Sequence, residues 1–115
     1  MLRNKTRKAV IARKVRFANS FFLKLKGLMF EKRDCFDYAL VFPFERETRF
    51  GASIHMLFVF FPIAAVYLNA DKRVVDVAVL KPFTLNYTPK KPAKYLIELA
   101  QEKLELVRIG DLLEF

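Results

Sequence analysis

The chain has one cysteine, one histidine, three glycines and no tryptophan among its 115 residues. A single thiol, Cys35, closes no intrachain disulfide, which points away from oxidising compartments. One histidine and one cysteine leave a structural zinc site short of its four ligands, and a catalytic one short of the usual pair of His or Cys. Cys35, His55 and Met56 carry the donor types of a copper site, but His55 reads as an ordinary strand residue and Met56 as core packing. No metal or cofactor is expected. Gly27, Gly51 and Gly110 stand apart from one another, so no glycine-rich loop exists to cradle a phosphate. That sets aside the usual ATPase, kinase and dinucleotide chemistries. Cys35 and His55 are the only thiol–imidazole pair, and nothing around them supports nucleophilic catalysis.

Long apolar runs are also missing. The longest, Met56 to Leu68, is too short to span a bilayer and contains Pro62. Met1 to Lys14 is basic but lacks the apolar centre of a signal peptide. The expected location is the cytoplasm, with no membrane partner.

What the chain does have is apolar material and uneven charge. Hydrophobic residues make up 54% of it, with 13 phenylalanines, which is ample for one core and excludes disorder as the main state. The net charge is +9. Residues 1–33 carry eleven cations against the single anion Glu31, while the rest carries ten cations against eleven anions. All the excess lies in the first third. Nucleic acid is therefore a candidate partner, with Arg13, Lys14, Arg16, Lys24 and Lys26 as the contacts. Phe17, Phe21, Phe22 and Phe30 interleave with these cations as a stacking platform would, or they fill the core.

No repeat, low-complexity tract or linker divides the chain, so residues 1–115 read as one domain with a basic N-terminal end that frays. Lys8 to Phe17 mixes β-branched and basic residues, as an edge strand does. Asn19 or Ser20 can cap a short helix, Phe21 to Leu28, with Gly27 as its stop. Tyr38 to Phe42 reads as a buried strand stopped by Pro43, with a polar loop over Glu45 to Gly51. Ile54 to Phe61 reads as a further strand ending at Pro62. Ile63 to Leu68 and Arg73 to Leu80, joined by Asn69-Ala70-Asp71-Lys72, make a hairpin, because Asn and Asp tolerate turn dihedrals and bond their own backbone. Pro82, Pro89 and Pro92 keep any strand near Phe83–Tyr87 short. Ala93 to Leu106 fits a helical stripe and, over Tyr95 to Leu99, a strand equally well. Ile109 to Phe115 closes as a strand, with Gly110-Asp111 as its turn. Many short strands and few helical turns give a mainly β, single-domain sandwich or partly closed barrel with one or two short helices.

Several segments, in order, resemble one family. Lys26-Gly27-Leu28-Met29-Phe30, Tyr38-Ala39-Leu40-Val41-Phe42, Ile54-His55-Met56-Leu57-Phe58-Val59, Ile63 to Leu68 with Asp71 to Val75, and Ala93 to Leu99 with Ile109-Gly110-Asp111 are similar to the motifs of the uncharacterised family known as domain of unknown function 192. The resemblance covers about residues 8–115. It implies a jelly-roll-like β-sandwich, a strand over Tyr95 to Leu99 and a short helix around Glu102–Leu106, and it implies no established activity. Two departures stand out: the family usually has an Asp near Ala65 and a Gly soon after the pair Glu98-Leu99.

The residues most like a site are His55, Met56, Lys81, Glu98 and Asp111, whose polar members sit beside apolar strand positions where an unpaired charge is costly. The leading reading is a binding module for a small ligand or protein segment. The alternatives are nucleic-acid binding through residues 3–33 and an enzyme using Glu98 or His55 as general base.

Overall fold

The computed structural model describes residues 1–19, 27–56 and 58–115. Its strands are β1 (Leu2–Asn4), β2 (Ala9–Ala12), β3 (Val15–Phe17), β4 (Ala39–Thr48), β5 (Ile63–Leu68), β6 (Val74–Leu80), β7 (Ala93–Ala100) and β8 (Leu113–Glu114). They form a three-stranded sheet in the order β2-β1-β8 and a five-stranded sheet in the order β3-β4-β7-β5-β6. Among the described strands only β3 and β4 run parallel; the other pairs are antiparallel. The fold is mainly β, with short 3-10 turns Arg33–Cys35, Phe50–Ala52 and Gln101–Leu106 among the described residues.

The large sheet is covered on both faces, which is why β5 is a continuous apolar run and the second half of β7 is buried at every position rather than at alternate ones. On the first face Leu40, Phe42, Ala65, Tyr67 and Leu96 pack against Leu28, Phe36, Met56, Val59 and Phe61. On the second face Val41, Val66, Leu68, Ile97 and Leu99 pack against Leu2, Ile11, Val107 and Leu113. At the N-terminal end the side chain of Leu2 is completely buried, and β1 lies between β2 and β8.

The expected hairpin forms. Asn69 Oδ1 accepts hydrogen bonds from the amides of Asp71 and Arg73, both at 3.0 Å, the self-bonding that suits Asn to turns. The ambiguity over Ala93 to Leu106 resolves as a strand to Ala100 followed by a 3-10 helix, in line with the family resemblance. The stretch Lys8 to Phe17 makes two edge strands, one in each sheet, because the chain crosses between sheets at Arg13-Lys14.

Three expectations need correction. Pro43 does not stop β4, which runs on to Thr48 through the supposed loop. Pairing with β3 ends at Val41, so Pro43 sits where β4 has no partner on one side and a missing N–H costs no ladder bond. Ile54 to Phe61 is not a strand. It makes one antiparallel bridge, Ile54 to Tyr87, after which Phe58 adopts a positive φ of 58° and a turn closes from Val59 N to Met56 O. The closing strand is only Leu113–Glu114, since Ile109 to Asp111 turns back to bond with Val74. The expected helix Phe21 to Leu28 lies outside the described residues up to position 26.

Candidate functional site

β7 alternates Leu96, Glu98 and Ala100 onto the first face and Ile97 and Leu99 onto the second. A carboxylate thus enters an apolar face between Leu40 of β4 and Ala65 of β5, its direct cross-strand partners. Where the family resemblance implies an Asp near Ala65, this chain sets a methyl group beside Glu98. Phe42 and Gly27 close over the carboxyl: a Cβ at Gly27 would stand 3.6 Å from Cζ of Phe42 and 3.8 Å from Oε1 of Glu98. Glu98 is 5% exposed, and its Oε1 is buried with no hydrogen-bond partner among the described residues.

Burial sets the chemistry of this group. Desolvation disfavours the charged form and pushes the Glu98 carboxyl up to about 8. At neutral pH it is held as a neutral acid, with one O–H to give and lone pairs to accept. Tyr38 and Tyr67 share the surroundings. Burial, reinforced by Glu31, pushes the Tyr38 hydroxyl up to about 12. Burial followed by Glu98 raises the Tyr67 hydroxyl further, which donates to the Ala52 carbonyl at 3.1 Å. A cleft of about 160 Å³ opens beside Gly27, lined also by Arg16, Ala18, Glu31, Tyr38 and Leu40. The Arg16 guanidinium lies 4.1 Å from the centre of the Tyr38 ring. The site therefore offers a polar rim of Arg16 and Glu31, an apolar wall, and a neutral carboxyl beneath Gly27.

Gly27 has a φ of +48°, a region that costs a residue bearing a Cβ. Space is not the obstacle, since both neighbours stand at ordinary contact distance. Gly27→Ala is expected to lower stability by about 1 kcal/mol and to leave the fold intact, as urea denaturation would show. A loss several times larger would mean the loop over Glu98 is more tightly fitted than these distances indicate.

The other expected site residues are dispersed. Met56 is buried on the same face as Glu98. His55 precedes it, half-buried, in the loop bridged to Tyr87. Lys81 is exposed beyond the end of β6, and its carbonyl accepts from the amide and hydroxyl of Thr84. Asp111 belongs to the other side of the sheet. There its Oδ2 accepts from Asn4 Nδ2 at 2.8 Å, Arg7 Nε at 2.8 Å and the Arg108 amide at 2.9 Å, a set that closes the β1–β2 turn onto the C-terminal segment. Among the described residues no three His, Cys, Asp or Glu side chains gather as a metal ion would require.

The basic third is spread over both sheets. Lys14 pairs with Asp37 at 2.7 Å, Arg7 with Asp111, and Arg33 with Glu102 at 2.7 Å. Arg13 is exposed, whereas Lys24 and Lys26 lie outside the described residues. Sequence reasoning missed Asp76, a buried carboxylate that accepts from Tyr87 Oη at 2.7 Å and the Lys90 amide at 3.1 Å, tying the 82–92 segment to β6. Asp76 shares its phase with Ala78 and Leu80, which pack on the first face, while a register shift sends Val74 to the second.

Comparison with known proteins agrees with this fold. The family model DUF192, described as an uncharacterised ACR, matches residues 2–115. A UPF0127 protein of Pyrococcus furiosus is 43% identical over 114 residues, covering 97% of this chain and 95% of that one. A structure from Novosphingobium aromaticivorans, described as a protein of unknown function, superposes with a TM-score of 0.77 at 18% identity, covering 88% of this chain and 74% of that one. Another, from Sinorhizobium meliloti and named as a candidate transcription regulator, gives 0.78 at 20% identity, covering 87% and 79%. At those identities the likeness is one of fold.

Proposed function

Since the chain belongs to the uncharacterised DUF192 family, whose name assigns no chemistry, we propose from the site itself that the protein is a binding module for a small ligand, with the carboxyl of Glu98 as its recognition group. The observation that carries this reading is the buried Oε1, which has no hydrogen-bond partner among the described residues. An unmade hydrogen bond in an apolar interior is costly, and a ligand that donates an N–H there recovers it. The surrounding Leu40, Phe42 and Ala65 favour an apolar body behind that donor. A small amide or primary amine with a short hydrocarbon chain meets both requirements. An amine would bind as a cation against the ionised carboxyl, releasing a proton and binding more tightly as pH rises toward 8.

The test is a thermal-shift screen of small amines and amides, followed by calorimetry on wild type, Glu98→Gln and Glu98→Leu. Leucine fills the volume but accepts nothing, and is expected to weaken binding at least roughly tenfold. Ligands that bind Glu98→Leu as well as wild type would remove Glu98 from the site and end the proposal.

A second reading, proton transfer by Glu98, draws on the same displacement toward the working pH of a general acid–base. It requires a reaction whose rate has a limb near pH 8 that Glu98→Gln abolishes. Nucleic-acid binding through residues 3–33 has less support, because several of those cations already meet carboxylates within the fold.

A further inference from the structure

Three loops meet at one place on this molecule. Residues 49–56 and 83–89 run alongside each other, joined by Arg49 Nε to the Pro89 carbonyl at 2.9 Å, the paired Ser53 and Thr88 hydroxyls at 2.8 Å, the Ile54–Tyr87 bridge, and Phe83 N to Met56 O at 2.9 Å. The third loop joins through Phe30 N to Phe58 O at 2.8 Å. Their tips form a connected set of aromatic rings. Phe30 stacks on Phe58 with centroids 5.0 Å apart, Phe58 meets Phe83 edge-on at 6.2 Å, and Phe60 meets Phe83 edge-on at 5.3 Å. All four are exposed, from 44% at Phe58 and Phe83 to 66% at Phe30, and Phe50 and Leu85 on the same paired loops are more exposed still.

Phe30, Phe58 and Phe83 hold φ values of 63°, 58° and 61°. Residues with a side chain adopt that region at a cost, and such strain gathers where function needs a fixed geometry. These rings are held outward by a strained but hydrogen-bonded backbone. A contiguous apolar surface of this kind marks an interaction site.

Charge narrows the partner. The sequence has no carboxylate between Glu47 and Asp71 and none between Asp76 and Glu98, and those stretches carry Arg49, Lys81, Lys90, Lys91 and Lys94. Of these, Lys81, Lys90 and Lys91 are exposed, Lys81 two residues from Phe83 and the other two at the Arg49 end of the paired loops; Lys32, two residues from Phe30, is exposed as well, with Glu31 and Asp34 as its acidic neighbours in the sequence. We propose that this aromatic end docks on an anionic lipid surface, its phenylalanines entering the boundary between headgroups and acyl chains while the lysines meet lipid phosphates. The protein would lie on the bilayer rather than cross it; no described helix is long and apolar enough to cross.

Other occupants fit less well. A second copy would bring like charges together on a chain of net charge +9. Nucleobases need free ring faces, whereas Phe30 and Phe58 cover each other at an interplanar angle of 17°. A peptide adding as a strand needs open backbone groups, and here the amides of Phe30, Ile54, Met56, Phe83 and Tyr87 are already bonded within the loops.

The experiment is flotation of the full chain with vesicles of phosphatidylcholine alone and of phosphatidylcholine mixed with phosphatidylglycerol, at low and physiological salt. Tighter binding to the mixed vesicles by roughly tenfold or more is expected from several lysines near the surface. Phe58→Ser combined with Phe83→Ser should abolish it, with circular dichroism checking that the variant folds. Phe60→Trp gives a second readout that needs no loss of folding: its emission should shift to the blue when mixed vesicles are added. Absence of flotation at low salt would overturn the proposal. So would flotation that the double variant retains without change, which means a basic surface only. Binding of a single-stranded oligonucleotide or an acidic peptide that the double variant loses, with vesicles left unbound, would reassign the surface to that partner.

Discussion

Folding stability is expected to fall by something on the order of 4 kcal/mol as pH rises from 4.5 to 8, and Glu98→Gln should remove most of that fall. The sign follows from where the proton is held. The unfolded chain ionises Glu98 near its ordinary value of 4.5, whereas the folded chain keeps it protonated up to about 8. Between those values the folded state binds the extra proton, so the contribution of Glu98 is complete below 4.5, declines with rising pH, and levels off above 8. Its aromatic neighbours do not confuse the window, because burial pushes the hydroxyls of Tyr38 and Tyr67 up, away from it. Urea denaturation of wild type and Glu98→Gln at half-unit intervals would measure the difference. Parallel curves for the two proteins would mean that the carboxyl reaches water or a partner, and that its burial is overstated.

Asp111→Ala is expected to cost about 2–4 kcal/mol, the usual consequence of stripping a buried hydrogen-bonded charge from its partners. The carboxylate accepts from Asn4, Arg7 and the Arg108 amide. Without it Asn4, which is completely buried, keeps one donor on the Leu106 carbonyl at 2.9 Å and loses the acceptor of its other N–H. Burial alone would raise the Asp111 carboxyl, but hydrogen bonds from Asn4, Arg108 and Arg7 together hold it below the usual carboxylate value. Its stabilisation is therefore present above the unfolded value of 3.8 and lost as pH falls through the lower folded one, opposite in sign to that of Glu98. Equilibrium denaturation near pH 7 tests the magnitude, and hydrogen exchange tests the place, since protection should drop first in β1, β2 and β8. A midpoint equal to that of wild type would show the cluster to be incidental.

The two acids illustrate what could be read from residues alone. Each stands beside apolar strand positions in the sequence, and both are buried. Sequence could not say that they serve different ends. Asp111 is surrounded by donors that arrive from residues 4 and 7, more than a hundred positions away, whereas Glu98 is met by Leu40 and Ala65, which donate nothing. Asp76 escaped notice although it follows the same rule, because a single Asp in an alternating strand looks like an outward residue until the phase of the strand is known.

Local physics was enough to determine the elements that rest on neighbours in the chain: the Asn69 turn with its flanking strands, the continuous apolar β5, the split of charge between the first third and the rest. The family resemblance supplied the strand-then-helix reading of residues 93–106, which periodicity left open. Only the tertiary structure decided the remainder. Pro43 is tolerated because β3 ends before reaching it. Ile54 to Phe61 forgoes a strand because the Phe30 and Phe83 loops pack against it and hold Phe58 in a left-handed turn. Glu98 acquires its chemistry because both faces of the large sheet are covered, and burial of a carboxyl is a property of what surrounds it, not of the residue itself.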